Sequence, residues 1–271
     1  MNYQTHNPNP NLTAFIKCYW TLEGPAETQP IRQRIVPDGC MELIFHHGDH
    51  FKQYLDDGAT LIQPKCFVFG QITKPLEIEP TGTTGIFAVR FHPEGFTPFA
   101  SLPVSKMGNR AVPLEELFDK EGLELEKAVL SQATTEGRIR LVEKFLLEKL
   151  VTPESIDRVA KSSVEVMLSL NGQLSVKELS EQLNISKRQL ERKFSSVIGL
   201  SPKQLSKIIR LQVTLKMLAN HQFTSLTSVA YEGDYYDQAH FIKDFKEFTG
   251  LSPKKFYANN LKMSSLFLDS D

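Results

Sequence analysis

The chain has 271 residues, 41% of them hydrophobic and 23% charged, with a formal net charge of -1 at pH 7. That length accommodates two domains with separate cores, and the near-neutral total points to no particular partner. The three cysteines form no CxxC pair or disulfide framework, no apolar run approaches the roughly 20 residues that span a bilayer, and "MNYQTHNPNPNLTAFIKCYW" lacks a leader's basic start and apolar stretch. The expectation is a cytoplasmic protein without a membrane partner.

Residues 1–112 read as strands. "AFIKCYWTL", "CMELIFHH", "KCFVFG" and "TGIFAVRFH" are short apolar runs separated by turn clusters such as "VPDG", "DDGAT" and "EPTGTTG". Met41, Leu43 and Phe45 share one face, and Cys40, Glu42 and Ile44 the other. The spacing suits a small antiparallel barrel or sandwich. Over 113–151 the period becomes helical. "LEELFDKEGLELEKAVL" and "RIRLVEKFLLEKL" predict a helical hairpin, with Ile139, Val142, Leu146 and Leu150 along one stripe. Residues 152–162 read as a linker, and 163–262 as an all-helical domain.

The charge is unevenly distributed. Residues 175–262 hold 14 Lys and Arg against 8 Asp and Glu, a balance of +6, whereas residues 1–151 carry -4. The basic region contains a repeat: "GLSPK" stands at Gly199–Lys203 and again at Gly250–Lys254, and the flanks align, Leu190 with Phe241 and Phe194 with Phe245. Ser175 with Glu178, and Ser186 with Gln189, form capping-box patterns that start two short helices. Gly199 supplies a left-handed helix end, and Ser201 with Pro202 starts the next helix. The repeated word is thus a helix stop and restart, and each copy is a helix-turn-helix corner. Between the copies, "PKQLSKIIRLQVTLKMLAN" predicts a helix of about 17 residues, roughly 25 Å long, enough to hold two reading helices one DNA turn apart.

On the second helix of the first corner, Arg188, Glu191, Arg192 and Ser195 share the face opposite Leu190 and Phe194, with Lys187 beside them. The second corner offers Gln238, Ala239, Ile242, Lys243 and Lys246 in the same frame. A charged outward face is ordinarily just solvated. Its duplication on a basic background favours insertion into the major groove of double-stranded DNA, with Arg192 forking onto guanine and Glu191 accepting from cytosine. Ile242 fits either a thymine methyl or a neighbouring helix. Lys207 and Arg210 read equally as phosphate contacts or solvated charges.

The signature "VAYEGDYYDQAHFIKDFKEFTGLSPKKF", the tandem corners and the long linking helix resemble the DNA-binding domain of AraC/XylS-type bacterial transcription regulators. The resemblance implies promoter binding, activation by recruiting RNA polymerase, and base contacts from Arg188, Glu191 and Arg192 and from Gln238, Ala239, Ile242 and Lys243. One departure is Glu232, where the family pattern has an apolar residue, which implies a looser turn. More weakly, "IVPDGCMELIF" and "FAVRFHPEGFTPF" resemble the sensor domains of one branch of the family. These carry a cupin-like β-barrel followed by a helical hairpin, which implies an α+β chain, a small-molecule effector and a homodimer.

Other chemistry in the N-terminal half is scattered. His46, His47, Asp49 and His50 cluster in "FHHGDH", but the spacing reads as a turn, so neither a metal nor another cofactor is expected. Cys40 reads as a buried structural thiol rather than a nucleophile, because Asp38 opposes the thiolate. Glu42 and Arg90 fit either ordinary surface charges or the wall of an effector cavity, and Trp20 either core or that wall. The alternatives to an effector-responsive regulator are a barrel enzyme with a helical appendage and a regulator whose barrel binds only protein.

Overall fold

The apolar runs become the inner strands of one sheet, because residues buried on both faces need no polar alternation. The computed structural model describes residues 1–150, 156–219, 228, 231–233, 235 and 237–258. The strands are β1 (Asn2–His6), β2 (Ile16–Gly24), β3 (Gln33–Ile35), β4 (Glu42–His46), β5 (Phe51–Tyr54), β6 (Thr60–Ile62), β7 (Cys66–Phe69), β8 (Leu76–Pro80), β9 (Thr84–Phe91) and β10 (Ala111–Pro113). They form a six-stranded sheet, β1-β2-β9-β4-β7-β10, and a four-stranded sheet, β3-β8-β5-β6. The expected sheet-rich domain is therefore built as two antiparallel sheets, and among the described residues no ladder closes them into a ring.

Helices α1 (Leu114–Leu130) and α2 (Thr135–Lys149) follow directly. The face of β4 that carries Met41, Leu43 and Phe45 shares a core with Leu117, Val142 and Leu146 of the hairpin. Ile139 and Leu150 pack at its margin, so the predicted stripe is the buried one. The opposite face of the large sheet contributes Trp20, Ile86 and Ala88 to a smaller cluster with Phe51 and Ile78 of the second sheet.

Further helices are α3 (Arg158–Ser169), α4 (Val176–Gln182), α5 (Lys187–Val197), α6 (Pro202–Ala219), α7 (Gln238–Thr249) and α8 (Pro253–Ala258). Helix α3 starts before the boundary expected at 163, because Ala160 and Val164 already belong to the helical core. Among the described residues, no helix is long and apolar enough to cross a membrane.

Candidate nucleic-acid interface

Local chemistry fixes the first corner residue by residue. The Ser175 hydroxyl accepts from the Glu178 amide while the Glu178 carboxylate accepts from the Ser175 amide. Ser186 and Gln189 repeat this at the start of α5, and Ser201 and Gln204 at the start of α6. These reciprocal bonds satisfy amide donors that a helix start leaves open. Asn184 turns the chain between α4 and α5 at φ 51°. Gly199 and Gly250 end α5 and α7 at φ 82° and 71°, the left-handed conformation in which glycine meets no steric penalty. Asp237 caps α7 by accepting from the His240 amide at 2.7 Å. The first helix of the second corner lies largely outside the described residues.

Leu190, Phe194, Phe241 and Phe245 are all fully buried in one helical core. Each pair holds its helix by the inner face, and the outer face is left to solvent. On α5, Lys187, Arg188, Glu191, Arg192 and Ser195 are exposed; on α7, so are Gln238, Ala239, Lys243 and Lys246. Ile242 is half-buried and packs against the helical core, which accounts for its apolar side chain without a thymine. Glu232 is exposed, so the departure at that turn buries no charge, and Tyr235 fills the space beside Phe241 with ring centres 5.2 Å apart.

The two expected phosphate contacts are engaged inside the protein. Lys207 Nζ lies 3.0 Å from Asp244 Oδ1 and 3.2 Å from Glu247 Oε2. Burial alone would push its pKa down, but hydrogen bonds to these carboxylates outweigh that and push it up. Arg210 donates to the Gly172 carbonyl at 3.2 Å and lies over the Tyr235 ring. Both side chains brace the fold, so a phosphate at either would compete with these internal partners.

Contacts that sequence reasoning missed tie α5 and α7 to the sheet domain. Thr97 donates its hydroxyl to the carbonyl of Val197, the last residue of α5. Arg34 donates to the carbonyl of Thr249, the last residue of α7, at 3.2 Å. Helix ends leave such carbonyls open, and a cation there is favoured by the helix dipole. Helix α6 is held as well: Gln212 donates to the Pro37 carbonyl at 2.6 Å, and Val36 is buried in the helical core. Single polar residues scattered in and around the strands and on α6 gave no signal for this interface.

In the sheet domain, Trp20, Cys40, Glu42 and Arg90 line one cavity of about 60 Å³ between the two sheets. Glu42 and Arg90 are cross-strand partners on β4 and β9. Of the two readings offered by the sequence, the surface one is corrected, since Arg90 is only 3% exposed. Its guanidinium pairs with Asp38 and, at 3.3 Å, with Glu42, which also accepts from Trp20 Nε1 at 3.1 Å. Burial pushes the Glu42 carboxyl above its ordinary range against the pull of Arg90. Burial also pushes the Cys40 thiol up to about 11, helped by Asp38, so it remains a protonated, unreactive group. Among the described residues no three His, Cys, Asp or Glu side chains converge as metal ligands. His46 is buried against Phe51, and His50 faces the Gln63 carbonyl instead.

Comparison with known proteins finds a match in each half of the chain. Residues 179–259 match a helix-turn-helix domain, and residues 4–113 match a domain of unknown function, DUF6597. An uncharacterized HTH-type transcriptional regulator of Haemophilus influenzae is 24% identical over 154 residues, covering 53% of this chain and 51% of that protein. The chain thus spans about half the length of the curated relative it matches. Among solved structures, ToxT from Vibrio cholerae aligns over 95% of this chain and 98% of its own, at 10% identity and a TM-score of 0.46. The C-terminal domain of AraT, a response regulator from Geobacillus stearothermophilus, aligns over 40% of this chain and 90% of its own, at 21% identity and a TM-score of 0.38.

Proposed function

We infer that this chain, whose residues 179–259 match a helix-turn-helix domain, is a sequence-specific DNA-binding transcription regulator. The observation that carries the reading is the duplicated division of labour on α5 and α7. Aromatic and aliphatic residues anchor the inner face of each helix, while Arg188, Glu191, Arg192, Gln238 and Lys243 stand in solvent on the outer face. Among the described residues Arg188, Arg192, Lys243 and Lys246 make no ion pair, so their donors are available to a polyanion without breaking internal bonds.

In this reading Arg188, Glu191 and Arg192 face base edges in one major-groove segment, and Gln238, Ala239 and Lys243 in the next. Lys187, Ser195 and Lys246 lie at the margins, where phosphates run. Activation through RNA polymerase, a cytoplasmic location, a small effector bound between the sheets and dimerisation through α1 and α2 complete the proposal. They rest on the AraC-type resemblance. No chemistry is assigned to the chain.

The test is selection of bound DNA from random duplexes by the purified full chain. A consensus with two half-sites about one helical turn apart is expected, with affinity falling steeply as salt rises. Recovery of unselected sequence, or affinity indifferent to salt, overturns the reading.

A further inference from the structure

The cavity between the sheets holds a polar group that the fold leaves unanswered. His46 is 2% exposed and lines the cavity. Among the described residues neither of its ring nitrogens reaches a partner in hydrogen-bond geometry, although the Gln63 side chain, which also lines the cavity, lies close enough to act on the ring. A buried imidazole carries one donor and one acceptor, and leaving both unmet costs free energy. The surrounding wall is apolar, with Ile35, Ile44, Ile78 and Ile86 facing the same space. The charged groups of the wall already answer one another, because Arg90 sits between Asp38 and Glu42. An added anion would meet two carboxylates, and an added cation would leave water for an apolar wall.

At about 60 Å³ the cavity holds a few water molecules, well short of the roughly 300 Å³ or more of an ordinary ligand site. A ring-sized molecule must therefore displace part of the wall. Most of that wall is fixed by strand ladders. The segment Val36–Cys40 is not: it runs between β3 and β4 outside either sheet. Its Asp38 and Cys40 line the cavity, while its other residues touch the DNA-binding domain. Val36 is buried in the helical core, the Pro37 carbonyl accepts from Gln212 of α6, and Gly39, at φ 81°, abuts Leu205. A Cβ on Gly39 would lie 2.9 Å from Leu205 Cδ1.

We propose that this cavity binds a compact, mainly apolar molecule of no net charge whose hydroxyl-like group meets His46, and that Val36–Cys40 transmits its arrival to α6. The proposal deepens the effector part of the regulator reading and rests on it for its consequence. Ligand and DNA are then linked reciprocally through one segment.

The sole tryptophan lies in the cavity wall, so its emission reports filling. The full chain is titrated with cyclohexanol, cyclohexanecarboxylate and cyclohexylammonium, one ring in three charge states. Cyclohexanol is expected to shift Trp20 emission and raise Tm, with the charged analogues at least tenfold weaker. His46→Phe, which keeps the stacking on Phe51, should weaken cyclohexanol at least tenfold. Ile44→Phe should fill the space and abolish the response, and circular dichroism checks that it folds. Saturating cyclohexanol should change DNA affinity fivefold or more, and Gly39→Ala should reduce that change while sparing the emission response. A response led by either charged probe, no response to any, an unaltered response in His46→Phe, or unchanged DNA affinity overturns the proposal. Failure to bind DNA without any probe overturns the regulator reading instead, while the emission data still judge the cavity.

Discussion

Lys207 separates a structural role from a DNA contact. Its ammonium is the nearest cation to Asp244, a carboxylate 2% exposed on the inner side of α7. Asp244 Oδ2 has no hydrogen-bond partner among the described residues, and the His240 imidazole, with Nε2 3.7 Å away, is too far to supply one. Lys207→Met therefore strands a buried charge. Breaking a buried pair costs about 3–5 kcal/mol, and the 18% exposure left to the Lys207 side chain places this case lower, at about 2 kcal/mol. In a helical domain of about 100 residues that is a Tm loss of roughly 10 °C, readable by circular dichroism. The double variant Lys207→Met with Asp244→Leu should regain most of it, since removing both charges leaves nothing unpaired. The salt dependence of DNA affinity should be unchanged. If Lys207→Met instead leaves Tm intact and lowers the slope of log K against log salt by about one, Lys207 is a phosphate contact and the assignment is wrong.

Other perturbations have equally definite outcomes. Arg192→Ala removes an exposed side chain, so stability should stay within about 0.5 kcal/mol, while affinity for the selected site falls by about 1–3 kcal/mol and preference at one base relaxes. Equal losses on every sequence would assign Arg192 to phosphate. Phe245→Ala empties a fully buried site between Phe241 and Phe256 and should cost about 3–5 kcal/mol by denaturant titration. Glu94 is 4% exposed, and burial pushes its carboxyl up to about 7, against smaller opposing effects of a backbone hydrogen bond and Lys161. Between pH 4.5 and 7 the folded chain keeps a proton that the unfolded chain has lost, so this group makes stability fall as pH rises. Glu94→Gln should therefore match the parent near pH 4 and exceed it by up to about 3 kcal/mol at pH 8. An equal difference at both pH values would rule out titration of Glu94 as the cause.

The helical half was legible because its determinants are local. Ser175, Ser186 and Ser201 each meet the residue three positions on, and Gly199 and Gly250 stop helices through their own φ, so a repeat in the sequence is a repeat in space. The large sheet was legible for a related reason: its four inner strands, β2, β9, β4 and β7, lie between the second sheet and the helical hairpin and read as apolar runs. Strands β3, β5 and β8 are polar on the face turned to water, and "QRI", "FKQY" and "LEIEP" give too short an alternation to stand out.

What the chain order alone settled was helices α5 and α7 and the residues on their outer faces, since a 3.6-residue period divides inside from outside before any packing occurs. Tertiary structure decided which charges remain outside. Lys207 and Arg210 turn inward because carboxylates and a carbonyl from distant segments await them, and Glu42 and Arg90 close on each other across a strand pair. Those encounters depend on the meeting of residues far apart in sequence, and no local pattern encodes them.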